Sequence, residues 1–206
     1  MRALVERSRD PAMGFEVAAV VADQPAAGGL ATARDFGVPT HVMAADPSIP
    51  RVRYDEGLAA VIDPYAPSLI VLAGFMRILS AAFVQRYSGR LINIHPSLLP
   101  KYKGLHTHRR ALQAGEREHG ASVHFVTEEL DGGPVICQAH VAVRADDTEQ
   151  SLAARVIVQE HRIYPMVIGL IAAGRLKLQG ARIMLDGRVL AAPMIEDPPH
   201  AQNPHA

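Results

Sequence analysis

"SLIVLAGFMRILSAAFVQRYSGRLINIHP", residues 68–96, decides the fold class, because its apolar pattern changes period twice. The run 68–74 is short and continuously apolar, as a strand buried on both faces would be. Ser80 then stands at a helix N-cap, the helix runs through Tyr87, and Gly89 stops it. Residues 90–95 return to a strand, which Pro96 ends because it has no amide hydrogen to donate. The alternation continues on both sides. "FEVAAVVA" (15–22) predicts a buried strand and 25–36 a helix opened by Pro25 and stopped by Gly37. "THVMA" (40–44) is a short strand and 51–63 a helix. Downstream, a helix at 107–114 leads into "ASVHFVTEE" and "PVICQAHVAVR", two strands separated by the turn "LDGG". Asp147 and Gln150 have capping-box spacing before a long helix that Pro165 must kink or break. "RIMLDGRVL" (182–190) is a hairpin turning on Asp186-Gly187. The expectation is an α/β fold, its sheet mostly parallel with antiparallel strands toward the C-terminus. One domain spans 1–192, and 193–206 reads as a disordered tail.

The chain has 206 residues, 49% hydrophobic and 20% charged, with formal net charge zero. That suffices for one sizeable core. Zero net charge offers no footprint for nucleic acid or an anionic membrane, so neither is expected as a partner. No apolar run approaches the ~20 residues that span a bilayer. "MRALVERSRD" lacks the apolar core of a secretory signal. The single cysteine, Cys137, cannot make an internal disulfide, which favours a cytoplasmic setting. Within "GPVICQAHVAV" it reads as a small buried hydrophobe rather than a nucleophile.

The strand end at 90–95 carries the chemistry. Side chains alternate along a strand, so Asn93 and His95 share one side while Ile92 and Ile94 take the other. Ligands of open α/β sheets bind beyond the carboxyl ends of strands, where His95 falls. An amide donor and an imidazole converging there suit a developing oxyanion. The alternative, Asn93 capping a loop and His95 satisfied in the core, weighs about evenly on spacing alone. Asp131 stands in the glycine-rich turn of "VTEELDGGPV", where an ordinary turn aspartate is the commoner reading. A carboxylate within reach of His95 would favour the charged ring, orient it and relay a proton.

"VLAGFMRILS", "INIHPSLLPKYKGLHTHRRAL", "EHGASVHFVTEELDGGPV" and "QEHRIYP", in that order, resemble the phosphoribosylglycinamide formyltransferases, from Met1 to about Leu190. "HPSLLP" is shared with other formyltetrahydrofolate enzymes, whereas "GLHTHRRAL" points to the glycinamide family. The resemblance implies a Rossmann-like formyltransferase fold, 10-formyltetrahydrofolate as co-substrate and glycinamide ribonucleotide as acceptor, no metal, and a monomer or homodimer. It assigns catalysis to Asn93, His95 and Asp131, with Asp131 keeping His95 charged. It sets Arg51, Met76, Arg77, Ile78, Leu79, Asn93, Val126 and Thr127 against the folate, with 126–131 closing over it. It sets Gly74, Pro96 and Glu160 against the ribonucleotide. His106 and His108, two apart, lack the acidic or cysteine partners a metal would need. Family members begin with a strand and a glycine-serine-asparagine phosphate loop, and "MRALVERSRD" matches the helix that follows them. The expectation is therefore a sheet without that strand, leaving unpaired edges beside "FEVAAVV" and "SLIVLAG". Two rival readings remain: a formyltetrahydrofolate hydrolase, and an inactive, truncated folate-binding remnant.

Overall fold

The computed structural model describes residues 1–196. The first segment comprises α1 (Arg2–Arg7), β1 (Val20–Ala22), α2 (Gly28–Asp35), β2 (Thr40–Val42) and α3 (Arg51–Ile62). Next come β3 (Ile70–Leu72), α4 (Ala81–Arg86), β4 (Leu91–His95) and α5 (Thr107–Gln113). The chain continues through β5 (Glu118–Phe125), β6 (Val135–Ala142) and α6 (Glu149–Ala172). It closes with β7 (Leu176–Gln179), β8 (Arg182–Leu185), β9 (Arg188–Val189) and β10 (Met194–Ile195). A five-stranded sheet of order β10-β6-β5-β4-β3 forms the centre; β1 and β2 make a parallel pair, and β7-β8-β9 a small antiparallel sheet.

The central sheet is mixed, with antiparallel strands entering in the C-terminal half as expected. β3 and β4 run parallel, as their connection through α4 requires, whereas β4-β5 and β5-β6 are antiparallel. β1 and β3 share no ladder among the described residues, and between them the resemblance sets its extra strand. β1 is also shorter than the run 15–22, because β2 offers pairing only over Thr40–Val42.

Two layers cover the sheet. Ile92 and Ile94 of β4 pack with Val156, Ile163, Val167 and Ile168 of α6. Leu91 points the other way, into a cluster with Leu58 of α3 and Phe83, Val84 and Tyr87 around α4. The faces alternate along β4 as its sequence requires, and Asn93 and His95 follow Leu91. Ser80 caps α4, its hydroxyl accepting from the Phe83 amide at 3.4 Å.

Three expectations need correcting. The cap of α6 is Thr148, in a reciprocal box with Ser151; Asp147 lies one residue outside and accepts instead from the Arg144 amide and the Ser151 hydroxyl. Of the two outcomes expected at Pro165, a kink or a break, the break does not occur: α6 runs on to Ala172. The buried face of Ile163, Tyr164, Val167 and Ile168 holds both sides of the proline in one core. Finally, the chain does not leave the fold at 193, since Met194–Ile195 pair in parallel with β6; positions 197–206 of the expected tail lie outside the described residues. The Asp186-Gly187 hairpin has positive φ at both turn residues, 49° and 78°, as a tight primed turn requires.

Candidate active site

β4 ends at His95, and the antiparallel register sets β5 beside it, pairing Asn93 with His124 and His95 with Ser122. Asp131 comes from the β5–β6 connection in a left-handed conformation (φ 47°), which a short polar side chain tolerates. Its carboxylate, 9% exposed, lies between two histidines: Oδ2 is 3.4 Å from Nδ1 of His95 and Oδ1 is 3.6 Å from Nε2 of His124. The Gly104 amide donates to Oδ2 at 2.9 Å. Asn93 Nδ2 lies 3.2 Å from His124 Nε2. Asn93, His124, Asp131 and His95 thus form one continuous polar cluster at the strand end.

The hydrogen-bond partners decide which groups carry protons. His124 Nδ1 faces the Phe125 carbonyl at 2.9 Å, so it donates there. In the neutral ring Nε2 is then an acceptor, taking one amide hydrogen of Asn93 and leaving the second available. His95 Nε2 likewise donates to the Tyr102 carbonyl at 2.9 Å. Both nitrogens of His95 therefore face acceptors, and only the doubly protonated ring satisfies both. Burial works against that charge. It pushes the His95 pKa below its ordinary value, and this outweighs the upward pull of the Tyr102 carbonyl and Asp131. Asp131 acts in the direction the resemblance implies, raising the His95 pKa against burial. The second ring proton is therefore held less tightly than in an ordinary imidazolium. For Asp131, burial pulls its pKa upward, but the adjacent His124 ring, the Gly104 amide and the His95 imidazole leave it below the usual carboxylate value.

The segment after β4 is pinned at several points. Ser122 donates to the Ser97 carbonyl at 2.6 Å and accepts from the Leu99 amide at 3.0 Å and Gln138 Nε2 at 2.9 Å. Glu116 holds both Lys101 and the Tyr102 hydroxyl at 2.8 Å. This fixes the Tyr102 carbonyl that orients His95. Behind it, buried His119 lies 3.1 Å from Nδ1 of His108 and faces the Pro96 carbonyl.

The other expected residues divide by location. Leu79 is buried with Phe75, Leu72 and Val126, while Met76 and Ile78 stand 73% and 52% exposed beside them. An apolar surface held open next to a polar cluster fits a flat heterocycle with a polar edge. Arg51 donates to the Ile78 carbonyl, and the Arg77 guanidinium stacks 4.2 Å over the Tyr54 ring. Thr127 is half-buried, its hydroxyl 3.5 Å from the Glu129 carbonyl. Gly74 is exposed with φ 66°, and Pro96 follows His95 directly. Glu160 stands apart from the polar cluster, half-buried on α6, where burial raises its pKa. One turn on, the Tyr164 hydroxyl lies 2.7 Å from the Leu72 carbonyl and 3.2 Å from that of Ile92.

His124 and the Tyr102 carbonyl escaped the sequence reading. Period-two alternation through "ASVHF" puts Ser122 and His124 on one face, but only the register with β4 brings that face to Asn93. Among the described residues no group of three His, Cys, Asp or Glu is arranged to hold a metal; His108 is engaged with His119. Cys137 is fully buried and its thiol is pushed up to about 12, chiefly by that burial.

Comparison with known proteins gives a consistent outcome. Residues 1–168 match the family model described as formyl transferase. The phosphoribosylglycinamide formyltransferase of Escherichia coli is 54% identical over 190 residues, 92% of this chain and 90% of that one. The Haemophilus influenzae protein of the same name is 42% identical over 175 residues, 85% of this chain and 82% of its own. The solved phosphoribosylglycinamide formyltransferase of Coxiella burnetii superposes with a TM-score of 0.88 at 47% identity, covering 94% of this chain and 92% of that one.

Proposed function

Because the chain belongs to the formyl transferase family, we infer that it is a phosphoribosylglycinamide formyltransferase. It moves the formyl group of 10-formyltetrahydrofolate to the amine of glycinamide ribonucleotide, a step of purine biosynthesis. The observation that carries the residue roles is the cluster of Asn93, His95 and Asp131, joined through His124 within hydrogen-bond or ion-pair reach.

The folate supplies an electrophilic formyl carbon, and its apolar ring suits the open surface of Met76 and Ile78, with Leu79 and Val126 beneath. When an amine adds to that carbon, its oxygen gains negative charge. The available amide hydrogen of Asn93 meets that oxygen, and the positive charge of a protonated His95 stabilises it. His95 then yields its loosely held proton to the departing nitrogen. Asp131 holds the ring by Nδ1 and accepts the proton that the amine must lose. Gly74, Pro96 and Glu160 are assigned to the ribonucleotide.

Two measurements test this reading: calorimetric binding of 10-formyltetrahydrofolate, and formyl transfer to glycinamide ribonucleotide at saturating substrate. Binding with transfer is expected. Formate release without the ribonucleotide would replace the reading with a hydrolase. Binding without either would leave a folate-binding remnant.

A further inference from the structure

Helix α3 grips the segment 76–80 at three places, all from one of its faces. Arg51, Tyr54 and Asp55 are three and four residues apart, the spacing that stacks side chains on a helix. Arg51 donates to the Ile78 carbonyl. Tyr54, 5% exposed, gives its ring to the Arg77 guanidinium and anchors its hydroxyl on the Met43 carbonyl at 2.8 Å. Asp55, 4% exposed, accepts the Ser80 amide on Oδ2 at 2.6 Å. The gripped segment belongs to no helix or strand of its own. Its apolar Met76 and Ile78 stay exposed instead of sinking into the core. A carboxylate is rarely buried against a single amide without a reason, because desolvating its charge is costly. Here that amide fixes the corner where the segment turns into α4, and Ser80 is also the cap of that helix.

We propose that Asp55, with Tyr54, is a positioning residue for folate recognition, holding 76–80 in the shape that receives the pterin. This rests on the functional reading above, which makes 76–79 a wall of the folate pocket. Neither side chain needs to touch the ligand. Asp55 sets the far end of the wall and Tyr54 sets the direction of Arg77. The consequence is selective: loss of either should weaken folate binding while leaving the ribonucleotide side and the chemical step intact.

The test measures calorimetric affinity for 10-formyltetrahydrofolate without ribonucleotide, together with kcat and both KM values, in full chains carrying Asp55→Leu, Asp55→Asn or Tyr54→Leu. Asp55→Leu is expected to weaken folate binding about tenfold or more, the size of one lost charge-assisted hydrogen bond. Ribonucleotide KM and saturated kcat should stay close to the parent's. Asp55→Asn retains an oxygen for the Ser80 amide and should recover most of the affinity, which a role in bulk stability would not predict. Tyr54→Leu should show the same selectivity, and it decides the matter if Asp55→Leu does not fold. A folded variant that binds folate as tightly as the parent overturns the proposal, as does an equal loss for both substrates. A parent that binds no folate removes the functional reading itself, and the proposal with it.

Discussion

Replacing His119 by glutamine should flatten the acid side of the stability profile, by an amount that follows from its surroundings. His119 is 1% exposed, meets His108 edge-on at 5.1 Å between centroids and lies 3.1 Å from its Nδ1. Burial, and then the neighbouring imidazoles of His108 and His95, lower its pKa from 6.5 to about 4. Above pH 6.5 the ring is neutral in both folded and unfolded chains and adds no pH dependence. Between 6.5 and about 4 the unfolded chain takes the proton first, so stability falls as pH falls. At 1.36 kcal/mol per pH unit, going from pH 7.5 to 4.5 removes roughly 2–3 kcal/mol through this ring alone. Other groups also titrate in that window. The pKa values of His95 and His108 are lowered and contribute with the same sign, while that of Glu160 is raised and contributes with the opposite one. Comparing slopes for parent and His119→Gln isolates the single site, whatever the substitution itself does at neutral pH. Urea unfolding at the two pH values is the assay. A variant that loses as much stability as the parent on acidification would refute the reasoning.

Gly133→Ala should disrupt the β5–β6 connection, because the added Cβ would meet the Phe125 carbonyl oxygen at 1.9 Å; a melting temperature within a degree or two of the parent would contradict this. Tyr164→Phe leaves the Leu72 and Ile92 carbonyls without their buried hydroxyl. It should destabilise by about 1–3 kcal/mol in denaturant titrations. It should also lower kcat, since Asn93 directly follows Ile92; unchanged kcat would show that the hydroxyl does not set the strand end. Thr148→Ala removes one half of the cap of α6 and should reduce stability by about 1 kcal/mol, measured in the same way.

What could be read without coordinates was whatever local chemistry fixes. The strand–helix–strand unit of 68–96 emerged with Ser80 capping its helix, because cap and turn residues act over three or four positions. The shared side of Asn93 and His95 followed from strand alternation alone. Asp131 illustrates the limit. Its place in a turn was legible, but its meeting with His95 depends on how β5 registers against β4, a long-range fact. His124 was missed for the same reason. Sequence does not separate Asp147 from Thr148 as the cap, because Asp and Thr are both good caps and stand side by side; backbone geometry selects Thr148. That α6 continues past Pro165 is not legible locally, since tertiary burial on both sides outweighs one absent hydrogen bond. Arg51, which the resemblance sets against the folate, is bonded to the Ile78 carbonyl, a contact no sequence pattern announces.

The most direct measurement is the rate of formyl transfer to glycinamide ribonucleotide by Asp131→Asn at saturating substrates. The amide keeps an oxygen for Gly104 but removes the charge between His95 and His124. Turnover should fall about a hundredfold or more, the usual loss when proton transfer is uncoupled, with folate binding retained. A folded variant that turns over at the parent's rate would mean that the three side chains meet without sharing the chemistry.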